Sequence, residues 1–423
     1  MFCLRRNMLF CFVEEDKREM KSALFGKKIV IGVTGSIAAF KVAGWVSSLA
    51  KEGADVSVVM TTSACRFVAP LTYAAVSGNP VLTDMFAAEE AHSLSHIKLG
   101  QEADLILIAP ATANTIAKLA HGLADDLLAT SVLAADCPVL IAPAMNSRML
   151  TNPATVRNIG ILRGFGYKII DPETGKMACK TDGPGRLPEW DEVREQLIAV
   201  LTEQDLAGET ILVTAGPTRE ALDPARFISN RSSGKMGYAL AISARRRGAE
   251  VLLVSGPTTL PTPYGVKRIA VQAAEEMGAA VMEACPTASV IIKSAAVSDF
   301  CPETVKSHKV KKDNAQFVLP LKQTPDILKQ LGEVKEKHHY LLVGFAAESQ
   351  DHRSAGESKL KKKNLDLIAI NDISGENTGF ETDDNQVTLF DESGFTELPL
   401  TSKEETAGLI LDRVVSLLCH KKS

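Results

Sequence analysis

The 423-residue chain has no paired cysteines: its eight stand at positions 3, 11, 65, 137, 179, 285, 301 and 419, and no two share C-x-x-C spacing. That scatter argues against a zinc ribbon, a dithiol redox motif and a disulfide framework. No run reaches the roughly 18 apolar residues a spanning helix needs, so no membrane partner is expected. Met1 to Val13 carries two arginines and a short apolar run, but acids follow at once and no small-residue cleavage site does. A secretory signal is therefore not expected, and the cytoplasm is the expected compartment. A net charge of −4 provides no global basic field. Nucleic acid is thus not an expected partner, and any basic site has to be local.

What is present is ordinary globular composition, 45% hydrophobic and 23% charged, in a chain long enough for two or three cores. From Lys27 onward apolar β-branched runs alternate with Gly-rich turns and segments of helical period, the pattern of parallel α/β sheets. Strands are expected at Lys28 to Val33, Val56 to Met60, Leu105 to Ala109 and Pro138 to Ala142. Helices are expected at Ala38 to Lys51, Asn114 to Ala120 and Leu127 to Ala134. The Gly- and Pro-rich stretch Asp171 to Pro188 is long enough to be a functional flap. A helix at Trp190 to Glu203 and the polar Gln204 to Gly208 end this first unit. A second alternating series follows, with strands at Thr210 to Thr214, Val251 to Ser255, Ser289 to Lys293, Tyr340 to Gly344 and Leu367 to Asn371, and a hairpin at Gln386 to Leu398. The fold class is α/β, with two consecutive Rossmann-like domains. The expected divisions are 1–24, a loose extension with alternative starts at Met8 and Met20; 25–190, the first domain; 191–207, helix and linker; and 208–423, the second domain.

The first turn, Gly32-Val33-Thr34-Gly35-Ser36-Ile37, leads into a helix whose free N–H groups and dipole favour an anion. Any tight strand-to-helix turn also wants glycine. Neither G-x-G-x-x-G nor an acid ending the second strand is present, which disfavours a dinucleotide. Thr61-Thr62-Ser63 supplies hydroxyls suited to the terminal phosphate of a mononucleotide such as FMN. Thr112 to Thr115 and Pro143-Ala144-Met145-Asn146 follow the third and fourth strands, where open sheets bind ligands. Asn114 and Asn146 read equally as helix caps. His96 reads alone as a structural histidine, whereas Cys179, beside Lys180 in the flap, reads as an exposed thiol with a lowered pKa.

In this order GSIAAFK, SHIKLG, PATANT, PAMNSRM and the Cys179 flap resemble the flavin-dependent phosphopantothenoylcysteine decarboxylases, over nearly the whole first domain. The resemblance implies a flavodoxin-like flavoprotein domain with FMN at Gly35, Ser36, Ile37, Thr61, Ser63, Thr112, Ala113, Asn114 and Thr115. It also implies that His96, Asn146 and Cys179 act on substrate, Asn146 binding its carboxylate. A carboxylate beside the cysteine α-carbon has no electron sink. Oxidising CH2–SH to a thioaldehyde first creates one, after which hydride return and a proton from Cys179 leave no net redox change. The family usually has glycine where this chain has Lys180, and often an aromatic where it has Leu150.

The second domain opens on the polar segment 214–237, in which Ser233-Gly234-Lys235 suggests a phosphate loop. Ser229 stands where the first glycine belongs and Met236 replaces the magnesium-binding hydroxyl, so Walker-A chemistry is excluded. Two arginines, a Gly-rich turn and a helix start still suit an anion, though a solvated loop remains the alternative. Lysines 306, 309, 311 and 312 form a charge run of the kind that is usually a solvated face. Lys359 and Lys363 are expected to share one helix face.

Together TAGPTRE, DPxRFISN, SSGKMG, AAVSDF, KVKK, TPDIL and GFAAE resemble phosphopantothenate-cysteine ligases. The resemblance implies that a nucleotide triphosphate activates the carboxylate as an acyl-nucleotide, which cysteine nitrogen then attacks, while cations offset the charge of the meeting anions. Lys309 would stabilise the first step and Asn230 the intermediate, with Arg226 binding substrate. Ser294, Ala295, Asp299, Lys309, Thr324, Pro325, Asp326, Ile327, Phe345, Lys359 and Lys363 would contact the nucleotide. The fused bacterial type implies CTP, with Mg2+ on unidentified ligands, and a homo-oligomer, a dodecamer. Thr324 stands for a frequent asparagine and Arg231 for a frequent histidine. The alternatives are a regulatory flavoprotein of the same fold and an NAD(P)-dependent reductase.

Overall fold

The computed structural model describes residues 22–86, 95–176, 182–309, 318–348, 352–372 and 384–422. They form two compact units that divide between Leu187 and Pro188. Among the described residues no helix is long and apolar enough to cross a membrane.

The first unit is an all-parallel sheet in the order Val81–Leu82, Asp55–Met60, Lys28–Val33, Leu105–Ala111, Val139–Pro143, Lys168–Ile169. Without the two-residue edge strand Val81–Leu82, the five others have the flavodoxin-like order. The strands were readable as unbroken apolar runs because helices cover both faces, and every residue of Leu105–Ala111 and of Val139–Pro143 is buried. Val30, Ile106, Ile108 and Ile141 share one core with Ile116 and Leu119 of helix Ala113–Ala120, Leu127 and Leu128 of Leu127–Leu133, and Leu162 of Pro153–Gly164. The order in which strands are added reverses between Lys28–Val33 and Leu105–Ala111, so the crevice of an open sheet falls at their carboxyl ends.

The second unit repeats this order in Lys267–Ala270, Glu250–Ser255, Thr210–Ala215, Val290–Lys293, Leu341–Glu348 and Leu367–Asp372, all parallel. The antiparallel hairpin Val387–Asp391 and Gly394–Glu397 extends it. Side chains alternate across the sheet. Ile211 and Val213 join the core that holds Leu240 of helix Lys235–Arg246 and Ile410 of Lys403–Lys422, while Leu212 joins that of Met277 and Leu331.

Three segments add detail to the sequence expectation. The helix Trp190–Leu201 packs in the second unit, where its Glu195 carboxylate accepts from Arg246 Nε at 2.8 Å. Part of the segment read as a polar loop is an antiparallel ribbon, Arg219–Asp223 with Arg226–Ser229. Its turn is set by Asp223, whose Oδ1 accepts from the amides of Ala225 and Arg226 at 2.8 and 2.9 Å. The expected flap is also a ribbon, Glu173–Lys176 with Asp182–Arg186.

Candidate active sites

In the first unit, loops after four parallel strands meet. Thr34 Oγ1 donates to Pro110 O at 2.5 Å and accepts from Thr112 N at 3.1 Å, joining the turns after Lys28–Val33 and Leu105–Ala111. Ser36 Oγ donates to Ala144 O at 3.4 Å. A Cβ on Gly35 would lie 2.5 Å from Ser63 Cβ, so glycine there lets the loop after Asp55–Met60 come this close. Gly35, Ser36, Ser63 and Thr112 are thereby brought into one cluster. Thr61 starts the same loop as Ser63, and Ile37, 56% exposed, follows Ser36.

Thr112 is the N-cap of helix Ala113–Ala120, with its side chain accepting from Thr115 N at 3.3 Å, and Thr115 is buried. Asn114 is therefore no cap; it lies exposed one turn position inside the helix, next to Ala113. Asn146 does cap Ser147–Leu150, its Oδ1 accepting from Arg148 N at 2.9 Å. The flap ribbon reaches the same place: Met145 N donates to Gly185 O at 3.0 Å, and a Cβ on Gly183 would meet Ser147 Oγ at 2.5 Å. Cys179 and Lys180 lie outside the described residues. His96 is half-buried in the first turn of helix Ser95–Glu102, and no hydrogen bond among the described residues ties it to these loops.

The second unit brings its loops together at the corresponding sheet end. Asn230 Nδ2 donates to Ala296 O at 3.0 Å. Gly237 lets helix Lys235–Arg246 sit on the strands, since a Cβ there would lie 2.5 Å from Ala215 Cβ and 2.7 Å from Ser294 Oγ. Thr324 N donates to Asp299 O at 3.0 Å and Thr324 Oγ1 to Ser298 O at 2.5 Å, joining 298–299 to 324–327. Asp326 caps helix Ile327–His338 and pairs with Lys363 at 3.1 Å. Burial raises the Asp326 pKa, but the Lys329 amide, Lys363 and Lys293 outweigh it and hold the carboxyl below its usual range.

Several expected contacts are qualified. Ile327 is 1% exposed and belongs to the core, so its backbone is what a ligand could meet. The helix His352–Lys362 carries Lys359 but ends before Lys363, whose amide bonds back to Lys359 O at 3.1 Å. Arg226 makes an ion pair with the buried Asp223, which closes the ribbon turn. Lys309 is exposed at the edge of the described segment, and Lys311 and Lys312 lie outside it. Phe345 lines a small cavity with Ser294 and Ala295. Among the described residues no group of three His, Cys, Asp or Glu side chains could hold a metal.

Sequence reasoning missed Lys293. It ends the strand Val290–Lys293 and donates to Ala295 O at 3.3 Å. Its pKa is pushed down to about 8, first by burial and then by Lys363, against the opposing pull of Asp326 and Asp299. A lysine ending an apolar run just before SAAVSD was the available signal.

Two family models match this architecture. Residues 17–202 match the flavoprotein family, and residues 206–418 match the DNA/pantothenate metabolism flavoprotein C-terminal domain. The "Coenzyme A biosynthesis bifunctional protein CoaBC" of Bacillus subtilis (strain 168) is 47% identical over 399 residues, which cover 93% of this chain and 98% of that protein. This chain belongs to the CoaBC family. The CoaBC protein of Escherichia coli (strain K12) is 44% identical over 398 residues, with coverage of 93% and 98%. A crystal structure of the CoaBC C-terminal domain aligns with 51% of this chain and 98% of its own at 43% identity, with a TM-score of 0.44.

Proposed function

We propose that the second unit ligates cysteine to 4'-phosphopantothenate with CTP through an acyl-cytidylate, and that the first unit decarboxylates the product on FMN to 4'-phosphopantetheine. The observation that carries this reading is the presence of two open-sheet ligand crevices in one CoaBC chain, with different linings. One is ringed by hydroxyls and small residues. The other gathers Asp299, Asp326, Lys293 and Lys363 beside a Gly-rich helix start.

The Gly35 to Ser63 approach, with the hydroxyls of Ser36, Thr61, Thr112 and Thr115, fits a flat ring carrying one phosphate. FMN would supply reversible two-electron oxidation of the substrate's CH2–SH group. His96 would assist proton removal in that oxidation. A carboxylate only accepts hydrogen bonds, so Asn146 would orient it through Nδ2. Cys179 would return the last proton.

In the second unit, Lys309 would offset charge as the carboxylate meets the nucleotide, and Asn230 would hold the acyl-nucleotide. Mg2+ would take most of its ligands from the triphosphate, as it does where few carboxylates are offered. In this reading the enzyme is a cytoplasmic homo-oligomer, a dodecamer. Exposed Ile37, Phe40, Phe67 and Leu71 on the first unit supply apolar surface for subunit contacts.

The Cys179→Ser variant tests the first reaction. It should stay yellow with bound FMN while turnover stalls at an oxidised intermediate. Full activity in that variant would remove Cys179 from the mechanism.

A further inference from the structure

A cavity of about 140 Å³ lies in the second unit between the 232–237 turn, the 294–296 turn, the strand segment 345–347 and the residues Asn371, Asn385 and Lys403. At roughly 30 Å³ per water it holds about four or five waters, the scale of a small free amino acid. Small-molecule pockets usually begin near about 300 Å³, so the enclosed space matches part of a substrate rather than a whole nucleotide.

One wall is formed by Asn371, Asn385 and Lys403, which none of the sequence motifs includes. They come from strand Leu367–Asp372, the bridge Asp384–Asn385 and the start of helix Lys403–Lys422. Asn385 is 3% exposed and Lys403 7%. The Oδ1 atoms of both asparagines are buried with no hydrogen-bond donor, while Asn385 Nδ2 reaches the Met236 sulfur at 3.4 Å. Leaving a buried acceptor unsatisfied is destabilising, and a ligand bearing N–H donors removes that cost. Lys235 and Lys403, both on the cavity lining, are cations that suit a carboxylate. Acceptors on one side and cations nearby describe a zwitterion rather than a simple anion.

We propose that this cavity is the cysteine subsite of the ligase, with the α-amino group donating to Asn371 and Asn385 and the α-carboxylate held by Lys403 and Lys235. The inference rests on the ligase reading of the second unit. Ser294, Ala295 and Phe345, assigned above as nucleotide contacts, also line the cavity, so an amine held here lies beside the place where the acyl group is activated.

The test separates the half-reactions in the full chain. Pyrophosphate release from CTP and phosphopantothenate is measured without cysteine, and amide formation is measured across a cysteine series. Asn371→Ala and Asn385→Ala should each raise KM for cysteine by at least about tenfold, while cysteine-independent pyrophosphate release stays within about twofold of wild type. Asn385→Leu preserves side-chain volume while removing the acceptor, and keeps the test readable if alanine disturbs the local fold. An unchanged KM for cysteine, or equal loss of both half-reactions in all three variants, overturns the subsite. Wild-type protein that releases no pyrophosphate overturns the ligase reading along with it.

Discussion

Lys293 shows how one half-buried cation can tie nucleotide binding to pH. Its ammonium is disfavoured by burial and by Lys363, and favoured by Asp326 and Asp299, with the balance at about 8. The cost of burying the charge is fully present below about pH 8. It is relieved as pH rises toward the ordinary lysine range of about 10, because there the unfolded chain binds more protons. A polyanionic nucleotide favours the charged form, so binding above about pH 8 takes up a proton. CTP affinity should therefore fall several-fold between about pH 7.5 and 9.5. Calorimetry across that range should show the fall in wild type and a flatter profile in Lys293→Met; equal slopes would remove Lys293 from the site. Asn146 shows how far single residues could be read: the sequence allowed both a cap and a ligand, and the structure shows the cap. Its proposed part in decarboxylation depends on a substrate group that only the chemistry supplies.

At the scale of elements, the parallel strands were legible because burial on both faces leaves a continuous apolar run, as in Leu105–Ala111. The ribbon Arg219–Ser229 was not. It buries the polar Glu220 and Asp223 while leaving Phe227 exposed, and it is held by backbone pairing and the Asp223 turn rather than by apolar alternation. Asn385 and Lys403 were hidden for a different reason, since only folding brings them to the 232–237 turn, far away in sequence. The turn of the first unit is the element most exposed to test. Gly35→Ala places a Cβ 2.5 Å from Ser63 Cβ and must part the two loops. The variant should lose the flavin absorbance while its far-UV circular dichroism is kept. Retained colour at wild-type stoichiometry would mean that this close approach does not shape the FMN site.

On the scale of the whole molecule, two sheets of the same parallel strand order each open a crevice at the point of reversal. The similarity of their opening turns, IVIGVTGS and ILVTAGPT, follows from that shared architecture. The second unit is further tied by Arg247, which pairs with Asp205 and Asp412, and by Arg246, which pairs with Glu195 and Glu404. These pairs draw helices Trp190–Leu201 and Lys403–Lys422 onto Lys235–Arg246. Fusing the two units has chemical sense only if the product of one is the substrate of the other. The most direct measurement incubates the purified chain with phosphopantothenate, cysteine and either CTP or ATP and follows products by mass spectrometry. The account predicts phosphopantothenoylcysteine with CTP, followed by its loss of carbon dioxide to phosphopantetheine. No amide with either nucleotide would contradict the second-unit assignment, and an amide that never loses carbon dioxide would contradict the first.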